Sequence, residues 1–272
     1  AARMALQTVL GVKPQGFFAP YRYADGVAPP ERYPALERLF ALGRDDYQAL
    51  LDRIDALQDR LGRIAGQSAP APRWGQDWFP GLDAAAAYAL VATRTPARIV
   101  EVGSGHSTRF IARAIQDAEI ACEQICIDPA PRATLEGLPV DWRRELLSEA
   151  AHGDLFESLE AGDMAVFDSS HLLFPGTDVD IILNRLLPRL AEGVLVHIHD
   201  VFLPDPYPES WAWRGYNEQN ALSPLILGGA FKPVFASRYV RTRMGAEADA
   251  ALRSEQRPGP GAFETSLWLE AG

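Results

Sequence analysis

Three short runs of this sequence hold most of the side chains able to do chemistry. Phe167-Asp168-Ser169-Ser170-His171 and Val196-His197-Ile198-His199-Asp200 each end an apolar run with carboxylates and imidazoles. Asp168, His199 and Asp200 offer three donors for a divalent metal, which would hold a substrate hydroxyl and lower its pKa. An imidazole in that set shifts the choice from magnesium (Mg) toward manganese (Mn), iron (Fe) or zinc (Zn). Without a metal, Asp168, His171 and His199 are candidates for moving a proton, since histidine titrates near neutrality. The plainest alternative is a satisfied polar pair at a strand end. The third run is Arg98 to Thr108, RIVEVGSGHST. Its Gly103-Ser104-Gly105 turn lets a ligand approach without meeting a Cβ. Ser107 or Thr108 can cap the helix that follows, whose first N–H groups lack internal partners.

These residues need a scaffold that brings them to one place. Ile99, Val100 and Val102 read as a buried strand, and Phe110, Ile111, Ala114 and Ile115 recur at helical spacing after the turn. Gln124 to Asp128 reads as the next strand, ending in an acid placed to accept hydrogen bonds from ribose hydroxyls. Strands are expected at 98–102, 124–128, 141–146, 164–168, 194–199, 234–240 and 264–269. Helices between them give the alternation of a mostly parallel sheet covered on both faces. Ligands of such sheets sit beyond the carboxyl ends of the strands. Gly103, Asp128, Asp168 and Asp200 should therefore open onto one cleft. Further helices are expected at 33–42, 45–64, 82–93 and 178–190, the last strained by Pro188. His197 reads as core or as support for its neighbours, His152 as surface, and His106 is left undecided. Trp211 to Gln219, after the fifth strand, reads either as an acceptor-selecting loop or as a packed lid.

The dinucleotide fingerprint needs a third glycine where Thr108 stands. What remains is Glu-x-Gly-x-Gly at Glu101, Gly103 and Gly105, which resembles the first motif of class I S-adenosylmethionine (SAM)-dependent methyltransferases. The resemblance implies an α/β fold: a Rossmann-like, seven-stranded, mostly parallel doubly wound sheet with a hairpin-like last pair. It also implies cofactor contacts at Glu101, Gly103, Ser104, Gly105, Ser107, Thr108, Asp128 and Asp168. The strand ends are similar to those of metal-dependent catechol-type O-methyltransferases, which implies Asp168, His199 and Asp200 as metal ligands and His171 at the general-base position. The sequence departs from that pattern, because the family's consecutive pair is an aspartate and an asparagine. GSGHSTRF, FDSSH, HIHDVFLPD and WRGYNEQ together resemble a bacterial methyltransferase-like family over about residues 75–240, and GFFAPYRY resembles its extension.

The 272 residues suffice for one large domain or for one domain plus an extension. The expected division is a helical, aromatic N-terminal extension at 1–75, ending in a Pro-rich linker, and a catalytic domain at 76–272. The extension's apolar stripe from Tyr47 to Ile64 is a packing face for the main domain or for a second copy, so a homo-oligomer is a possible partner state. A net charge of −10 argues against nucleic acid as main partner. No apolar run reaches the length of a membrane span. Two cysteines cannot build a disulfide framework, which suits a reduced, cytoplasmic protein. Residues 253–261 read as a mobile loop. The expected function is SAM-dependent methyl transfer to a small-molecule acceptor, at a hydroxyl. The alternatives are a SAM-binding protein without transfer activity and a metal-dependent hydrolase on a Rossmann-like sheet.

Overall fold

The computed structural model describes residues 2–17, 19–64 and 68–272. Phe18 of the aromatic run and residues 65–67 at the start of the expected linker lie outside the described residues. Two compact units are present, Ala1–Glu31 and Arg32–Gly272. The first holds helix α1 (Ala2–Val9), which buries none of its residues, and a single turn at Ala24–Gly26.

The second unit begins with α2 (Pro34–Leu42), α3 (Arg44–Ala56), α4 (Gln58–Leu61) and α5 (Leu82–Arg94). Leu36, Phe40, Tyr47, Leu51, Ile54 and Leu61 join the core of this unit. The rings of Tyr47 and Tyr239 meet edge-on at 5.7 Å. The apolar stripe of α3 thus packs on the unit that carries the sheet. The helix expected at 45–64 is broken at Leu57, where the backbone tightens between α3 and α4.

The sheet is built from β1 (Arg98–Val102), β2 (Glu123–Ile127), β3 (Asp141–Arg143), β4 (Met164–Phe167), β5 (Leu195–Ile198), β6 (Phe231–Ala236) and β7 (Leu267–Ala271). Its order is β3-β2-β1-β4-β5-β7-β6. All neighbours are parallel except β7, which runs antiparallel to β5 and β6. Flanking helices are α6 (His106–Ala118), α7 (Glu149–Glu157), α8 (Asp178–Ile181), α9 (Glu218–Leu227), α10 (Ser237–Arg243) and α11 (Gly245–Ala251). This is the seven-stranded Rossmann-like α/β architecture that the resemblance implied.

Local chemistry explains where elements differ from the sequence reading. The strand expected at 234–240 ends at Ala236 and turns into α10, whose Tyr239 and Val240 reach the core from a helix. Pro233 is tolerated in β6 because that strand lies at the sheet's edge. β7 starts at Leu267 rather than 264 because the N–H groups of Thr265 and Ser266 are taken by the Asp83 carboxylate at 2.8–3.0 Å. The helix expected at 178–190 keeps α-helical form only to Ile181, then widens and finally tightens around Pro188. The segment 253–261 is anchored, since Gln256 is fully buried and donates to Gln58 Oε1 at 3.0 Å.

α5 carries Ala84 to Ala87 and Ala89, all fully buried, so its backbone can approach α3 and α6 closely. Its first N–H groups need partners from elsewhere. Glu264 Oε1 accepts from Leu82 N at 2.7 Å, and the same carboxylate pairs with Arg241. Asp83 and Glu264 therefore exchange caps between α5 and the approach to β7. Glu264→Ala leaves an orphaned helix N–H and a half-buried guanidinium without its main partner. We expect it to cost about 3 kcal/mol, read as a lower urea midpoint with an unchanged slope.

Candidate active site

The glycine turn is shaped by what surrounds it. Gly103 has φ +78°, and a Cβ there would lie 1.9 Å from the carbonyl oxygen of Asp168. Glycine is thus required for the ends of β1 and β4 to touch. A Cβ at Gly105 would meet only Ala133 N at 3.7 Å and Arg132 beyond it. The fold itself does not demand glycine at 105, whereas a ligand lying on the turn would.

The polar side chains of this motif divide into two groups. Glu101 is fully buried and accepts from Ser107, from Thr108 at 2.6 Å and from Cys126. Burial raises its carboxyl to about 7 against those hydrogen bonds. Thr108 also accepts from Gly105 N at 2.9 Å. Glu101, Ser107 and Thr108 therefore hold the turn and the start of α6 rather than facing an open cleft. Ser104 and Asp128 form the second group. Asp128 Oδ2 accepts from Ser104 N at 2.6 Å and Oδ1 from Ala130 N at 2.7 Å, leaving further lone pairs. Ser104 Oγ is buried beside Cys126, and His106 Nδ1 is buried without a hydrogen-bond partner.

β4 and β5 end beside this turn. Asp168 N donates to Val102 O and His199 N to Phe167 O, both at 2.9 Å. His171 and Asp200 both take left-handed backbone conformations, φ +60° and +55°, which are costly outside glycine and recur at functional sites. They turn the two side chains toward each other. His171 Nε2 lies 3.3 Å from Asp168 Oδ1 and 3.4 Å from Asp200 Oδ2, and Nδ1 lies 2.8 Å from Glu218 Oε2. Burial alone would lower the His171 pKa, but Asp168, Glu218 and Asp200 raise it well above the ordinary value. Burial would raise the Asp168 carboxyl, yet the His171 hydrogen bond and the charge of His199 hold it well below the usual range. His171 is therefore no ordinary neutral base, contrary to the expectation from its position.

His199 is also committed. Its Nε2–H donates to the carbonyl of Trp78 at 2.9 Å, and the Ser266 hydroxyl lies 3.5 Å from Nδ1. Burial opposes its protonation, but Asp200, Asp168 and Asp83 raise its pKa. His197 is fully buried and meets the same Ser266 hydroxyl at 2.8 Å, supporting His199 from behind. Burial and the charge of His199 hold it neutral.

Asp168, His199 and Asp200 thus lie together, but their donor atoms do not fit the metal site that the resemblance implied. The two carboxylates converge on the ring of His171, and His199 Nε2 points at a backbone carbonyl. Among the described residues, no group of three or more His, Cys, Asp or Glu side chains is arranged to hold a metal ion.

A pocket of about 250 Å³ opens at these strand ends. Asp168, His199, Asp200, Arg132, Arg214, Trp78 and Trp211 are among its walls. Arg132 lies 4.6 Å over the Trp78 ring and Arg214 lies 4.0 Å over Trp211. Two larger hollows, about 400 and 770 Å³, lie elsewhere on the chain and are lined by no histidine. The sequence reading missed Arg132 and Trp78 as wall residues, because nothing local marks a loop residue that only the fold brings to the cleft. Glu218 lay inside the WRGYNEQ run, but its pairing with His171 spans 47 positions. His152, read as surface, is 1% exposed and binds Glu145.

His106 supplies a test of this geometry. Burial and the charges of Arg109 and Arg73 lower its pKa from 6.5 to about 4. The unfolded chain therefore takes up this proton first as pH falls. The associated stability is complete above pH 6.5 and is lost as pH falls toward about 4. His106→Gln should flatten the melting temperature over that range, and the His106 ring should titrate near the lower limit by NMR.

Residues 100–201 match the model of a family described as a methyltransferase domain. No curated protein matches the chain. Among solved structures, an S-adenosylhomocysteine-bound methyltransferase of Podospora anserina is similar, at 15% identity and a TM-score of 0.41 over 94% of this chain and 99% of that one. The O-methyltransferase of tomaymycin synthesis from Streptomyces achromogenes, in complex with SAM, gives 15% and 0.43 over 82% and 90%. A Thermus thermophilus branched-chain polyamine synthase gives 16% and 0.40 over 95% and 70%. The family match covers the glycine turn, Asp128, Asp168 and Asp200, so residues 100–201 of this chain are similar to a methyltransferase domain.

Proposed function

We propose that the protein methylates a hydroxyl of a small, planar acceptor held in the pocket beside Asp168. The observation that carries this reading is the adjacency of two features at one sheet edge. The turn Gly103-Ser104-Gly105 with Asp128 lies on one side, and the aromatic-walled pocket with Asp168 and Asp200 lies on the other. When bound, SAM supplies an electrophilic methyl group on sulfur and leaves as S-adenosylhomocysteine.

The chain's residues then have distinct tasks. The backbone of the Gly103–Gly105 turn and the free lone pairs of Asp128 are assigned to the adenosine and ribose. Asp168, held ionised, suits the ammonium of the methionine end. Glu101, Ser107 and Thr108 act on the cofactor only through the turn that they fix. The pocket holds about eight water volumes, so the acceptor part is limited to a compact group. Trp78, Trp211 and Phe263 offer flat apolar faces to it. Asp200, which lines the pocket with its Oδ2 3.4 Å from the His171 ring, is the carboxylate assigned to take the hydroxyl proton. His199 holds the Trp78 wall through its carbonyl. Most of the acceleration comes from placing the acceptor oxygen in line with the methyl group.

A SAM-binding protein without transfer activity is the second reading, favoured by the full pairing of His171 and His199. Calorimetry with SAM and detection of S-adenosylhomocysteine across a panel of phenolic and other hydroxyl acceptors separate the two. Asp200→Asn should lower kcat by about 10²–10³-fold while leaving SAM affinity within about threefold. Asp128→Ala should do the reverse, weakening SAM binding first. Unchanged turnover in Asp200→Asn would remove the proton-acceptor role.

A further inference from the structure

Two arginines, Arg132 and Arg214, help to wall the pocket of about 250 Å³. Other sheltered arginines are spent on carboxylates. Arg113 lies 2.8 Å from Asp117, Arg243 lies 2.6 Å from Asp205, and Arg241 pairs with Glu264. The side chains of those three are 14–22% exposed and that of Arg214 is 24% exposed. Yet the one carboxylate near Arg214 among the described residues, Asp200, is 3.9 Å away, beyond hydrogen-bond reach. Of its five N–H donors, one meets the Tyr216 hydroxyl at 3.1 Å, and Nε is buried without a partner. The guanidinium is nevertheless fixed in place. It lies 4.0 Å over the Trp211 ring, with the Trp213 and Tyr216 rings at 5.5 and 5.3 Å. Trp211 in turn meets the buried Phe202 ring edge-on at 4.9 Å. Aromatic rings hold a guanidinium by its faces and leave its N–H edge for a planar, two-oxygen anion.

We infer that the acceptor is a compact hydroxy acid whose carboxylate is held by Arg214, an inference that rests on the reading of this pocket as a methyl-acceptor site and narrows it. SAM brings a carboxylate of its own, and Arg132 is the receptor nearer to it. The Cβ of Arg132 lies 3.9 Å from where a Cβ on Gly105 would stand, beside the glycine turn. Arg214 instead ends the short stretch Glu209–Arg214 that precedes α9, with Asp200 as its neighbour. The 3.9 Å between Arg214 Nη1 and Asp200 Oδ2 sets the spacing required of the substrate. Its carboxylate and its hydroxyl must be close neighbours on one flat skeleton, as in 2-hydroxybenzoate. A carboxylate suits the pocket better than a phosphate, because Asp168 and Asp200 line the same walls and repel a second negative charge.

Binding and transfer test this separately. With S-adenosylhomocysteine present, calorimetry should show benzoate bound at least about tenfold more tightly than benzamide, and phenyl phosphate bound more weakly than benzoate. Arg214→Gln should remove most of the preference for benzoate. Arg214→Lys, which keeps the charge without the planar fork, should retain only part of it. In turnover, the ratio of kcat/KM for 2-hydroxybenzoate over 2-hydroxybenzamide should fall at least about tenfold in Arg214→Gln, mainly through KM. Arg132→Gln should weaken S-adenosylhomocysteine binding instead. Equal affinity for benzoate and benzamide, tighter binding of phenyl phosphate, or a benzoate preference that survives Arg214→Gln overturns the inference. If Arg214→Gln does not fold, Arg214→Lys decides: a reduced benzoate preference supports the inference and an undiminished one overturns it. Benzoate binding that depends on Arg214, with no S-adenosylhomocysteine formed from any acceptor, keeps the acid receptor and removes the methyl-transfer reading. Methylation of neutral acceptors without preference for acids does the reverse.

Discussion

The contact between Gly103 and the carbonyl of Asp168 is the constraint on which the site depends. No side chain fits between the end of β1 and the end of β4, so the two backbones lie against each other. That places the glycine turn within reach of the fourth strand's carboxylate. Register does the rest: β1 pairs with both β2 and β4, and β4 with β5, so Asp128, Asp168 and Asp200 emerge along one edge. The glycine turn and the pocket beside Asp168 share a rim because Gly103 lacks a Cβ.

Around that rim several polar groups are committed to partners within the protein. Glu101 is consumed by the start of α6, His199 by Trp78, and His171 by three acids. The pairing gives each group a fixed direction and a shifted protonation state. It also explains why residue type alone misassigns roles. A histidine three positions after a strand-end aspartate has the spacing of a base, but here three carboxylates surround it and raise its pKa. Burial by itself would have lowered its pKa; the neighbouring carboxylates outweigh burial.

The strands and the turn were legible because their signals are local. Apolar runs ended by glycine, and acids at strand ends, need no knowledge of the fold, and β1, β2, β4 and β5 fall within a residue or so of where the pattern puts them. Long-range pairings were not legible. Nothing near Thr265 announces that its N–H is bound by Asp83, so β7 was placed early. Tyr239 and Val240 looked like strand residues because a core helix and a core strand both bury such side chains. Likewise, α2 to α4 contribute Phe40, Tyr47 and Leu51 to the large core, although the composition around residues 65–75 suggested a break after them. The candidate site shows the same division. Its cradle was visible in the sequence, while Arg132, Trp78 and the His171–Glu218 pair needed three dimensions.

The exchange of caps between α5 and residues 264–266 bears on the order in which the molecule can be assembled during synthesis. The parallel strands β1, β2, β4 and β5 are all translated before residue 200, and a nascent chain could pair them early. Phe263 and Ser266, which complete the pocket wall and the support behind His199, emerge from the ribosome some sixty residues later. Until then, Asp83 and the N-terminus of α5 lack the groups that satisfy them. The glycine turn and the ends of β1, β2, β4 and β5 can thus take shape before residues 263–266 close the pocket beside them, so a stalled or shortened chain would present half a site.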